Sequence, residues 1–272
     1  MSSANGQKSS RSLPDRLLNL SGLSWFLVAA IGQWIFVYYV AAFYLPFLTG
    51  GGLASADQAD LPDGFIAGDV LHNTALAAHV LIAIVIIGGG PLQLIPQIRN
   101  RFPRFHRILG RTYMITAVLT SLAGLYMVWT HGVPGGPLAP FAISLDAVLI
   151  ILFAAIAVRH AMRRQIDQHR RWAMRLFMVV SAVWFFRIGM MFWFMTTGGI
   201  GINTETFTGP FITFLYFGQM LVPLFFLEVY FRAQDGDSMM GKLIAAFLVF
   251  AATGATALGT FAATMGMWLP RL

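Results

Sequence analysis

The 272-residue chain contains no cysteine. Disulfides, thiolate-held iron–sulfur clusters, cysteine-ligated zinc, covalently attached c-type haem and cysteine nucleophiles are therefore excluded. Any chemistry falls to His, Met, carboxylates and bound cofactors. Charge is also scarce: Asp, Glu, Lys and Arg make up 11% of the chain, against about 25% in a soluble domain, while 57% is hydrophobic. A soluble fold lacks the charge to cover its surface at that composition, and a disordered chain needs low hydrophobicity, so both classes are removed together. There is no phosphate-binding glycine loop, no H-E-x-x-H pair and no nucleophile elbow. The net charge of +7 does not indicate nucleic-acid binding, because the basic residues punctuate apolar runs instead of forming one basic face.

What the sequence does have is seven apolar runs of membrane-crossing length: Leu23–Leu48, Leu71–Leu94, Ile108–Thr130, Pro137–Val158, Trp172–Thr197, Pro210–Phe231 and Leu243–Trp268. In lipid each backbone polar group must be satisfied within its own segment, and none of these runs alternates with period two, so they read as helices. The expected fold is an all-α integral membrane protein, with a single seven-helix domain over residues 23–272 behind a mobile cytoplasmic tail, 1–22. The first run is too long for a cleavable signal peptide and reads as a retained signal anchor. Sixteen of the eighteen Lys and Arg residues fall in the tail and in alternate loops, whereas Asp57, Asp60, Asp63, Asp69 and Glu205 occupy the opposite loops. The excess of positive charge on the cytoplasmic side then sets the N-terminus inside and the C-terminus outside, in a multi-pass protein of a bacterial inner membrane. The arginine-rich tips are suited to anionic lipid headgroups.

Spans two–three and four–five form two hairpins whose basic tips are alike. One contains His106-Arg107 followed by Arg111, the other His169-Arg170 followed by Arg175. If the hairpins are parallel repeats, His106 and His169 face one another; the plainer reading is that short basic loops resemble each other by composition. Of the six histidines only His79 lies deep, about 12 Å below the outer end of span two at the helical rise. Asp146 and Arg187 lie at comparable depth, and charged groups there normally face the bundle interior and find partners. A His79/Asp146/Arg187 cluster is therefore expected, either as a site for a cofactor headgroup or proton relay, or as an ion pair fixing helix register. Glu228, near the inner interface, reads as a partner for the arginine tips.

Gly88-Gly89-Gly90-Pro91, followed by Gln93, predicts a kinked or unwound inner third of span two, which either lines a binding site or lets a neighbouring helix approach. Ala251, Ala255, Gly259 and Ala263 form a small-residue stripe on span seven, suited to close packing within the bundle or in an oligomer. Tyr38, Tyr39, Tyr44, Trp129, Trp172, Trp193 and Trp268 read as an interfacial aromatic belt.

The segment from His79 through Gly90-Pro91-Leu92-Gln93 and Phe102-Pro103-Arg104-Phe105-His106-Arg107-Ile108-Leu109-Gly110-Arg111 to Tyr113, then His169-Arg170-Arg171-Trp172-Ala173-Met174-Arg175 and Arg187, resembles bacterial predicted membrane proteins grouped as domain of unknown function number 2306. That resemblance covers roughly residues 70–230, supports the seven-span reading and implies no established activity. The stretch from His79 to Arg111 is also similar to the centre of the cytochrome b-561 family, whose helices hold b-type haem between histidine pairs and pass electrons across membranes. On that resemblance His79 matches an outer-side ligand and His106 an inner-side one, the latter paired with His169 or His160. The leading functional expectation is a redox-active bundle that binds b-type haem or a quinone, with Gln93, Arg107, Arg111 and Arg187 as further binding residues. The alternatives are a non-redox transporter or small-molecule binding protein, entered from the acidic loop at 49–70, and a structural subunit without cofactor.

Overall fold

The computed structural model describes residues 12–49 and 68–272, with side chains over 12–46 and 68–272. Among these residues there are nine α-helices and no strand: α1 (Leu13–Thr49), α2 (Val70–Leu94), α3 (Pro96–Arg101), α4 (Pro103–His131), α5 (Ala139–Met162), α6 (Ile166–Val180), α7 (Ala182–Thr197), α8 (Pro210–Asp235) and α9 (Met239–Ala263). Six helices are long and apolar enough to cross a membrane. Helices α6 and α7 meet the same criterion only as a pair, bent by 54° at Ser181, which makes six candidate crossings among the described residues, or seven if the pair is one broken span. The all-helical reading therefore holds, and the span boundaries differ at three places.

The first is the start of the chain. Helix α1 begins at Leu13, and Leu18 and Ser21 on it are buried, so a mobile tail does not extend to residue 22. Asp15 in the first turn of α1 forms an ion pair of 2.6 Å with Lys242 on α9, which ties the two helix starts together. The second is the glycine-rich end of α2. It stays helical through Gly88-Gly89-Gly90-Pro91 to Leu94 instead of unwinding. A Cβ on Gly90 would lie 3.1 Å from the Phe177 ring and 3.3 Å from Tyr113, so the missing side chain serves close helix approach. The acidic segment at 49–70, proposed as an entrance, lies outside the described residues apart from Thr49 and residues 68–70.

The third is the bend at Ser181, where the sequence has neither proline nor glycine. Gln33 of α1, fully buried, donates from Nε2 to Ser181 Oγ at 2.8 Å. Beside it the chain packs three helices at one crossing. A Cβ on Gly32 would lie 2.8 Å from Trp184 Cζ2 and 2.9 Å from Thr260 Oγ1, and one on Gly259 would lie 2.5 Å from the Ile188 carbonyl oxygen. Small residues thus let α1, α7 and α9 approach to backbone distance, the usual substitute for hydrophobic driving force between helices in lipid. Gly259 and Ala263 of the expected stripe are buried in this intramolecular contact, while Ala251 and Ala255 remain exposed.

The helix ends fall into two sets. At the arginine-rich end Arg175 of α6 forms a bidentate pair with Glu228 of α8, at 2.6 and 3.0 Å, between the rings of Trp172 and Phe231. Arg171 pairs with Asp235 one turn further out. At the opposite end Tyr216 of α8 donates to the Pro134 carbonyl at 2.6 Å, and the loop can pass there because Gly135, at φ 116°, carries no Cβ to meet the tyrosine ring. Two residues of the expected aromatic belt, Tyr39 and Trp268, are core residues at 7% and 1% exposure, and Trp172 packs inward on Phe153.

Candidate functional site

Histidines occupy both ends and the middle of the α2–α4 pair. Because these helices run antiparallel, each residue of α2 finds its neighbour at a constant sum of positions along α4. Thus the His72 and His131 rings lie 4.2 Å apart at one end, His79 lies beside Gly124 in the middle, and Gln93 lies over Gly110 at the arginine-rich end.

At the arginine-rich end, Gln93 bridges the start of α4. Its Nε2 donates to the His106 carbonyl at 3.3 Å, and its Oε1 would lie 3.1 Å from a Cβ on Gly110. This pins the turn that carries His106. From the other hairpin, His169 on the first turns of α6 bonds through Nδ1 to the Ala157 carbonyl of α5 at 2.9 Å. A carbonyl can only accept, so Nδ1 carries the proton and, in the neutral ring, Nε2 is left with the lone pair. His106 and His169 lie within electrostatic range of one another, with Arg99 also near His106. His106 and His169, on the two tips that look alike in sequence, thus lie within electrostatic range, and among the described residues buried His106 Nδ1 has no hydrogen-bond partner.

The remaining expected residues are placed differently. His160 bonds to Gln165 Oε1 at 2.6 Å in its own turn, and Arg107 and Arg111 are exposed on the outside of α4. His79 lies beside the Thr120 backbone, and its Nδ1 is buried without a partner among the described residues. Thr120 Oγ1 and Asp146 Oδ1 are likewise buried without partners.

The expected Asp146–Arg187 ion pair is not seen among the described residues. Arg187 turns toward α1, with its Cζ 5.3 Å from the Phe36 ring centre and Nη1 donating to the Val183 carbonyl at 3.1 Å. Equal depth in two helices does not bring side chains together when they face different neighbours, and depth was all that the sequence supplied.

Two groupings were not visible in the sequence. One is a rim cluster in which Asp69 caps α2 through the His72 N–H at 2.9 Å and holds His131 Nε2 at 3.0 Å, while His131 Nδ1 meets Thr130 Oγ1 at 2.7 Å. These hydrogen bonds hold the Asp69 carboxyl below the usual carboxylate range, the capped backbone N–H contributing most and His131 next. The only available signal was Asp69 standing at the start of an apolar run. The other is the aromatic surrounding of Arg187, which no sequence periodicity marks. Among the described residues no group of three or more His, Asp or Glu side chains has metal-binding geometry.

The family described as predicted membrane protein, domain of unknown function number 2306, matches residues 76–222. That range takes in the helices carrying His79, Gln93, His106, Asp146, His169 and Arg187. No curated protein and no solved structure matches the chain.

Proposed function

Because the chain belongs to the predicted membrane protein family of domain of unknown function number 2306, whose description assigns no activity, we propose from the site itself that this is a redox-active bundle of a bacterial inner membrane in which His106 and His169 hold a b-type haem. What supports the reading is that His106 and His169, from separate hairpins, lie within electrostatic range of one another. His169 Nδ1 donates to the Ala157 carbonyl, so that Nε2 of the neutral ring keeps its lone pair. Haem-ligating histidines commonly use the second ring nitrogen to bond a carbonyl, which orients the ring and raises its basicity, and the Ala157 carbonyl supplies that bond here. The unmatched His106 nitrogen fits a site whose donor set is two imidazoles, sufficient for a six-coordinate haem though not for zinc.

When bound, the haem supplies one-electron transfer. The chain's own residues do the rest. Gln93 holds the His106 backbone and the Ala157 carbonyl orients the His169 ring, and the surrounding arginines favour the anionic propionates of a haem as they favour anionic headgroups. By the distribution of positive charge this end faces the cytoplasm. The test is colour. Protein purified from cells supplied with haem precursor is expected to show a Soret band and α-bands that sharpen on dithionite reduction. Colourless protein from the same cells contradicts the reading. A quinone at the same imidazoles would instead be recovered by organic extraction, with no Soret band.

A second reading, a pathway or site for a small polar molecule without redox chemistry, is favoured by His79 Nδ1, Thr120 Oγ1 and Asp146 Oδ1, three buried polar atoms without partners at mid-span. Groups of this kind in lipid-embedded segments are functional by default. That reading predicts transport or uptake that is lost in Asp146→Asn while any haem spectrum is unchanged.

A further inference from the structure

Arg187 lies about 15 Å from the end of α7 by the helical rise, at the arginine-poor end of the bundle and away from the His106/His169 pair. Its guanidinium carries five N–H donors, of which, among the described residues, one meets a protein acceptor, the Val183 carbonyl. Its surroundings are aromatic: the Phe36 ring beneath it, with Tyr39, Tyr44 and Tyr216 in electrostatic range. Among the described residues no carboxylate pairs with it. Arg271 lies within electrostatic range. A cation held in the low-dielectric part of a bundle normally has a counter-charge, and among the described residues Arg187 meets ring faces and no ion-pair partner.

A second, independent observation points the same way. Trp268 stacks on both aromatic residues that flank Arg187, at 5.2 Å from Phe36 and 6.0 Å from Tyr39, and its indole Nε1–H is buried with no acceptor. The backbone is set for this by a π-helical turn over Thr264–Trp268, a local irregularity that is frequent at functional sites. Among the described residues the cage thus holds N–H donors of Arg187 and Trp268 without a matching acceptor.

We infer that the Arg187 cage is an oxyanion-binding site, filled by a phosphate or carboxylate group presented either by an anionic lipid headgroup or by a small soluble anion. The guanidinium takes the oxyanion through charge-assisted hydrogen bonds, Trp268 Nε1–H is a further donor, and the aromatic walls exclude water. The site is independent of any cofactor at the other end of the bundle.

The test uses the full chain in two arms: thermal unfolding and tryptophan fluorescence in neutral detergent titrated with inorganic phosphate, and the same readouts in phosphatidylcholine vesicles with and without phosphatidylglycerol. Saturable stabilisation is expected in one arm or both, with phosphate alone marking a soluble ligand and phosphatidylglycerol alone a lipid. Arg187→Gln is expected to weaken the apparent affinity at least about tenfold, the loss of about one charge-assisted contact. Trp268→Phe, which keeps the stacked ring and removes the N–H, is expected to weaken it several-fold and carries the test should Arg187→Gln fail to fold. No response in either arm overturns the inference, as does unchanged affinity in both variants. So does phosphate binding that emerges only after Asp57, Asp60 and Asp63 are all changed to Asn, which would assign the guanidinium to the chain's own acidic segment.

Discussion

Gln33 and Ser181, 148 positions apart in the chain, are joined by a buried hydrogen bond of 2.8 Å at the point where α6 turns into α7. Each residue is at most 3% exposed. In a helix pair with no proline or glycine at the bend, this bond is the feature that distinguishes Ser181 from its neighbours. Gln33→Leu leaves the serine hydroxyl buried without its partner and is expected to cost about 1–3 kcal/mol. Adding Ser181→Ala removes both partners and is expected to recover most of that loss. Thermal unfolding of the two single variants and the double variant measures the coupling.

Gly259 and Ala255 lie four apart on α9 and have different surroundings. A Cβ at Gly259 would fall 2.5 Å from the Ile188 carbonyl oxygen, a backbone atom that cannot rotate away. Gly259→Ala is therefore expected to lower stability by about 1–3 kcal/mol through overpacking. Ala255→Leu, on an exposed position, is expected to stay within about 0.5 kcal/mol of the parent. Equal effects in a detergent unfolding assay would contradict the assignment of Gly259 to the internal crossing.

Asp69 predicts a pH dependence. Its carboxyl is held below the ordinary value near 3.8 by the His72 backbone N–H and by His131. A group whose folded pKa is depressed contributes stability in full above its unfolded pKa and loses it as pH falls through the folded value. The parent protein is therefore expected to lose midpoint temperature as pH drops below about 4. Asp69→Asn is expected to start lower at neutral pH and to lack that part of the acid limb. Parallel curves for parent and variant between pH 3 and 6 would show that the Asp69 contacts contribute nothing to stability.

The parts of the molecule that could be read from sequence are those governed by segment length and loop charge. The apolar runs become the six long helices and the bent pair, and His106 and His169 of the two tips lie within electrostatic range. Glu228 does serve the arginine tips, through Arg175. What could not be read depends on which way a helix face turns. Asp146 and Arg187 share a depth and not a neighbour. Trp268 is drawn into the core by a π-turn that leaves no mark in composition. The bend at Ser181 is met by a glutamine from another helix, and Gly90, in the run read as a weak point, is accommodated because Phe177 and Tyr113 pack where its side chain would have been.

The most direct measurement of the central claim is the reduced-minus-oxidised absorption spectrum of membranes carrying the parent protein, His106→Ala or His169→Ala, at matched protein levels. If the two imidazoles hold one haem, each variant loses the same band to the same extent, and His160→Ala, a residue bonded within its own turn, retains it. A band that survives in one of the paired variants, or that is lost in His160→Ala alone, would contradict the account.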